Sequence, residues 1–198
     1  MNTLVKTMIL FLFAAIMAPG CQSQEKPVVS SSPLTTEELH VYRALLNLLN
    51  SQPKTQVKNL ASQTSPFDIS HLPVGSVCLQ GIEFENPSKN SRTVHSFSAE
   101  IAKGMALNLV EPTDQAKILQ EKDSTSPKQK RADDSAKASE SGLLVVSEIA
   151  FDKKQQFAVL NYVFFGGSRF KYETTRVLEK VGGEWTTPVR RVCSVSVN

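Results

Sequence analysis

The sequence predicts an α+β domain in which N-terminal helices pack on a C-terminal four-stranded antiparallel meander. Three observations carry that reading. An amphipathic helix pattern begins at Thr35. Residues 143–197 fall into four runs rich in Val, Phe, Tyr and Thr, which suit a pleated, half-buried surface. The links between these runs are short, and two of them hold Gly166-Gly167-Ser168 and Gly182-Gly183, which supply the positive φ of tight hairpin turns.

The chain opens with a leader. Lys6 forms a positive n-region and residues 7–17 an unbroken apolar run, the length of a signal-peptide core and short of the roughly 20 residues that a spanning helix needs. Ala18-Pro19-Gly20-Cys21 then resembles the lipobox of bacterial lipoproteins, with Ala18 where Leu is usual. The resemblance implies that residues 1–20 are a signal peptide and that Cys21 carries lipid. Gln22, rather than Asp, implies by likeness to enteric lipoproteins an outer-membrane address facing the periplasm. The competing reading is an ordinary secretory signal, since Ala-x-Gly is itself a small-x-small cleavage site. One acyl chain holds a bilayer only marginally, whereas several give lasting attachment. Residues 21–34 are polar and Ser-rich and read as a lipid-anchored flexible tether, with a reach on the order of 20 Å. Residues 35–198 are the length of one ordinary domain.

Within that domain, Thr35-Thr36-Glu37-Glu38 is a capping box, its two acids at the positive end of the helix dipole. Leu39, Tyr42, Leu45, Leu46 and Leu49 follow at helical spacing and predict a helix lying on the core, ended by residues 50–53. Residues 56–63 and 77–84 predict short strands, the second carrying Cys78, in a region punctuated by Pro66, Pro73 and Pro87. Phe97, Ile101 and Met105 are spaced by four and predict a second helix from Ser96, with Gly104 its weak point. Residues 113–119 predict one further helical turn. Residues 123–141 hold no aromatic and no branched aliphatic side chain, so they read as a mobile insertion.

The four strand-like runs are 143–151, 156–165, 170–181 and 185–197. In the second, Phe157, Val159, Val163 and Phe165 share one face and Ala158, Leu160, Tyr162 and Phe164 the other, which marks a central strand. The third sets Lys171, Glu173, Thr175 and Glu179 against Phe170, Tyr172 and Leu178, so one face is expected to be wet. Pro188 cannot donate to a ladder and places the last run at an edge. Val41-Tyr42 after the acidic helix start, together with Ser147, Phe151, Ala158, Tyr162, Gly166, Val177-Leu178-Glu179-Lys180, Gly183 and Trp185, resembles a group of secreted bacterial proteins of uncharacterised function. The helix-and-curved-sheet plan resembles cystatin-like and ketosteroid-isomerase-like folds. Such scaffolds host both enzymes and binding modules, so the likeness selects no function.

The chemistry is sparse. A formal charge of +3 with no basic-aromatic groove points away from nucleic acid. His40, His71 and His95 lack a second ligand at metal spacing. There is no His-Glu-x-x-His, Cys-x-x-Cys or Gly-x-Ser-x-Gly. No catalytic residue, metal ligand or cofactor is therefore assigned. If Cys21 takes lipid, Cys78 and Cys193 are the remaining thiols in an oxidising compartment and are expected to pair. The alternative is two separate buried thiols packed as small hydrophobes. Tyr162, Tyr172, Arg176 and Glu148 are the one set that could line a pocket in the sheet, where Glu148 would serve as acid or base. The plainer reading leaves Glu148 and Arg176 as cross-strand polar residues on a wet face. The expected protein is a membrane-anchored envelope lipoprotein, a non-enzymatic binding or accessory module with an envelope protein partner. The alternative is a small-ligand or isomerase-like enzyme.

Overall fold

The computed structural model describes residues 28–30, 32–51, 57–69, 77–84, 93–120, 142–166, 171–188 and 195–197. In chain order these form β1 (Val28–Val29), α1 (Thr36–Asn50), β2 (Asn59–Ala61), β3 (Thr93–Val94), β4 (Asn108–Val110), α2 (Pro112–Gln120), β5 (Leu143–Val146), β6 (Ala150–Phe151), β7 (Phe157–Phe165), β8 (Lys171–Val181), β9 (Glu184–Thr186) and β10 (Val195–Val197). Two 3-10 turns, Val77–Leu79 and Ala99–Ala102, complete the set.

The fold is mostly β, which corrects the expected architecture of helices on a four-stranded meander. An eight-stranded sheet, curled into a half-barrel, runs in the order β10-β8-β7-β5-β2-β4, with β6 also on β7 and β9 also on β8. The antiparallel hairpins β7–β8 and β8–β9 do form. Gly182 and Gly183 turn the second of them with φ of 62° and 90°, a geometry costly for any residue with a Cβ. The sheet does not stop there, however. N-terminal strand β2 enters it and pairs in parallel with both β4 and β5. The sheet thus reaches well beyond the C-terminal runs, into residues 59–61 and 108–110.

The second expected helix is also corrected. Phe97 precedes the 3-10 turn, Ile101 lies within it and Met105 follows it, and Gly104 breaks helical continuation at φ 82°. Residues 77–84, expected as a strand, hold the other 3-10 turn and only an isolated bridge from Phe84 to Asp152. Residues 1–27, most of the expected tether, the insertion at 123–141, His71 and Cys193 lie outside the described residues. Of the tether segment, Val28–Val29 pair in parallel with Thr93–Val94.

Helix α1 starts as its sequence dictates. Thr35 Oγ1 accepts from the Glu38 amide at 3.2 Å, and Glu38 Oε2 accepts from the Thr35 amide at 2.7 Å. Its buried face, Val41, Tyr42, Leu45, Leu46 and Leu49, packs on Leu60, Leu144, Val146, Ala158, Leu160, Tyr162 and Leu178. The opposite face of the sheet is covered too. Phe67 and Cys78 pack on Val159 and Val177, while Ile118 of α2 packs on Ala61, Val110 and Leu143.

A polar latch ties the start of α1 to the β8–β9 hairpin. Glu37 Oε2 accepts from Trp185 Nε1 at 3.0 Å and pairs with Lys180 Nζ at 2.9 Å. Lys180 and then Trp185 hold the Glu37 carboxyl below the usual carboxylate range. Such a group contributes stability above its unfolded pKa and loses it as pH falls through the lower folded value. Both partners are part-exposed, so water screens the pair to less than about 1 kcal/mol. Glu37→Gln is expected to lower the urea midpoint slightly at neutral pH. The gap from the native protein should close as pH falls below about 4.3, the ordinary glutamate value. A gap independent of pH would show that the latch is not ionic.

Candidate functional site

Two polar groupings interrupt the apolar layers. The first arises where β5 leaves β7. Asn161 is bonded both ways by Ser147, whose amide donates to Asn161 O at 2.9 Å while Ser147 Oγ accepts from the Asn161 amide at 2.8 Å. The chain then bridges to Ser65, and the Glu148 amide donates to Ser65 O at 2.8 Å. On its other side, Thr64 donates its amide to His95 O at 2.9 Å. Three extended segments thus lie side by side, and Thr64, His95 and Glu148 meet across them.

Glu148 is buried and amply supplied with donors. Its Oε1 accepts from Thr64 Oγ1 and, at 2.9 Å, from the His95 amide. Its Oε2 faces His95 Nδ1 at 3.0 Å. With Nδ1 held there, Nε2 is the ring nitrogen turned away, and it has no hydrogen-bond partner among the described residues. Tyr42 closes the grouping from α1, donating its hydroxyl to Ser147 O at 2.9 Å. Burial, then the charge of Glu148 and Glu38, pushes the Tyr42 pKa well above the ordinary tyrosine value, so it remains a donor.

The second grouping lies on the α1 face of β7 and β8. The register sets Leu160 opposite Arg176, Tyr162 opposite Thr174 and Phe164 opposite Tyr172. Tyr162 and Tyr172 have ring centroids 6.0 Å apart, and the Arg176 guanidinium lies 6.0 Å from the Tyr162 centroid. Burial pushes the Tyr162 pKa up against the opposing pull of its hydrogen bond to Arg176. The four residues expected to line one pocket are therefore divided. Tyr162, Tyr172 and Arg176 come together, whereas Glu148 shares no hydrogen bond, ion pair or ring contact with them among the described residues.

His40 is exposed on α1. Among the described residues no group of three or more His, Cys, Asp or Glu could hold a metal ion. Thr64 and His95 are the partners that sequence reasoning missed. They lie 31 positions apart, and 84 and 53 positions from Glu148, with no local pattern to announce them.

Removing the Glu148 carboxylate would leave His95 Nδ1 without its partner inside the protein and take from the Thr64 hydroxyl and the His95 amide their charged acceptor, leaving them only the bonds they make to each other. Glu148→Ala is expected to cost about 2–5 kcal/mol in urea unfolding. A residue kept for catalysis at the expense of packing would instead leave stability unchanged or raised when removed.

Compared with protein-family models, with curated proteins and with solved structures, the chain shows no match.

Proposed function

We propose that the chain is an envelope lipoprotein, anchored through lipid on Cys21 to the outer membrane and facing the periplasm. In this reading its domain is a non-enzymatic binding or accessory module for an envelope protein partner. The non-enzymatic part rests on one observation. Glu148, the carboxylate expected to do acid–base work, is occupied by Thr64 and His95, within a sheet packed on both faces. The alternative, a small-ligand or isomerase-like enzyme, draws support from His95, which Glu148 orients through Nδ1. The stability of Glu148→Ala separates the two.

The anchor draws support from the lipobox-like residues and from the position of β1. Val28–Val29 already lie along the domain, so the stretch from Cys21 reaches roughly 25 Å at full extension, at about 3.5 Å per residue. The domain would then work close to the bilayer. Cys21→Ser is expected to move the protein from the membrane fraction to the soluble one, with loss of the acyl mass from the intact chain. An unmodified amino terminus on the native mature protein would overturn the anchor.

We also propose the Cys78–Cys193 disulfide. Cys78 is buried, packs against Val159 and Val177, and is not a free thiol. Strand β10, which begins just after Cys193 in sequence, pairs with Tyr172–Thr174 of β8, the strand that carries Val177. Closing so long a loop contributes about 4–5 kcal/mol in chain-entropy terms. Cys193→Ser should therefore lose most of the stability that reduction removes from the native protein. Two alkylatable thiols in the unfolded, unreduced native chain would overturn the pairing.

A further inference from the structure

Arg176 sits on the face of β8 that packs toward α1, between Leu178, which is buried in the main core, and Thr174, which is also buried. It is itself partly buried. Its Nε is the one buried side-chain nitrogen or oxygen without a hydrogen-bond partner among the described residues. No ion pair among the described residues includes it. The ion pairs of this region are made by other residues: Glu173 with Lys171 at 2.7 Å, Glu37 with Lys180, and Glu148 with His95. What faces the guanidinium is the Tyr162 ring, with Tyr172 alongside.

A tyrosine face offsets part of the cost of placing a cation there, roughly 0.5–2 kcal/mol. It supplies no acceptor for Nε. Buried donors are nearly always satisfied, so an orphan on a charged group marks a missing partner. An oxyanion completes this arrangement. The guanidinium presents Nε and a terminal nitrogen as a planar fork that matches two oxygens of one carboxylate or phosphate. Tyr162, whose ring centroid lies 6.0 Å from the guanidinium, carries a hydroxyl that can steady the same group.

We propose that Arg176, with Tyr162 and Tyr172, forms a binding site for an oxyanion, the carboxylate or phosphate of a small ligand. This goes beyond the protein-partner reading above and does not depend on the lipid at Cys21. The anchor is tested by fractionation and this site by titration of the purified chain, so either can fail alone.

The test is titration of the purified mature chain with sodium phosphate, and separately with sodium acetate, against sodium chloride at equal ionic strength. The readouts are melting temperature and the Arg176 Nε–H resonance. At least one oxyanion is expected to raise the melting temperature saturably and to move that resonance with the same midpoint. Phosphate alone would indicate a phosphoryl ligand, acetate a carboxylate. Arg176→Gln should weaken the response roughly ten-fold or more. Lys171→Gln, which removes a part-exposed charge on the same strand, should leave it unchanged. Tyr162→Phe removes only the hydroxyl and should weaken binding by a few-fold, which keeps the proposal testable if Arg176→Gln does not fold. A resonance indifferent to both anions, or an equal response in Arg176→Gln, would overturn the site.

Discussion

Strand β7 buries Ala158, Leu160 and Tyr162 on one side and Val159 on the other, and this two-sided burial sets what the rest of the chain has to provide. A sheet with one wet face needs a single cover; β7 needs two. Helix α1 is the first, its capping box fixing where the apolar stripe begins. The second comes from residues around the Val77–Leu79 turn, where prolines prevent a long helix. That segment is fastened to the β6–β7 connection through the Phe84–Asp152 bridge and the Lys153 amide, which donates to Glu83 O at 2.9 Å. Each large apolar side chain fully buried this way contributes about 1.5–3 kcal/mol. Both covers come from the N-terminal half and the strand they cover from the C-terminal half. The core thus depends on long-range closure, the circumstance in which a cross-link contributes most.

Sequence reasoning recovered the parts whose signals are local. Thr35 and Glu38 lie three residues apart, Gly182-Gly183 sit side by side, and both faces of β7 can be read from alternation alone. It failed where the determinant is a distant partner. Strands β2 and β4 are three residues each and are strands because they pair with one another and, for β2, with β5. The short strand expected within 56–63 is present as β2, but nothing in Asn59-Leu60-Ala61 announces that it joins β4 and β5 in parallel. The spacing of Phe97, Ile101 and Met105 was misleading for a related reason. Phe97 is placed by edge-on packing against Tyr42, at 5.0 Å and 88°, rather than by a helical repeat. In the candidate site, Tyr162, Tyr172 and Arg176 were legible because adjacent antiparallel strands keep facing residues together. Glu148 was misassigned because β5 parts from β7 one residue earlier, at Ser147, and turns its next side chain toward Thr64.

Asp152, Glu148 and Arg176 differ in how their charge is answered. Asp152 organises the turn into β7: its Oδ1 accepts from the Gln156 and Phe157 amides, each at 2.6 Å, and Oδ2 from the Lys154 amide at 3.2 Å. That arrangement also stabilises Gln155 at a φ of 51°, unusual for a residue with a side chain. Glu148 is answered by a hydroxyl, an amide and an imidazole. Both acids are therefore parts of the scaffold, because a buried carboxylate with its acceptor sites filled gains strength and has little capacity left for a substrate.

Arg176 stands apart from them. A leucine at this position, beside Leu160 and Leu178, would bury apolar area without taking a cation from water, and replacing buried charge by apolar packing is often neutral or stabilising. The arginine therefore carries a cost that the fold itself does not require. A lysine would extend its ammonium past Tyr162 to solvent more cheaply, since a flexible stem lets the charge reach water. The rigid, planar guanidinium gives up that escape and leaves one donor unanswered against the core. Local departures from the rules of packing are concentrated where a protein meets something else. In this sheet, with Glu148 and Asp152 already committed, the departure lies at Arg176.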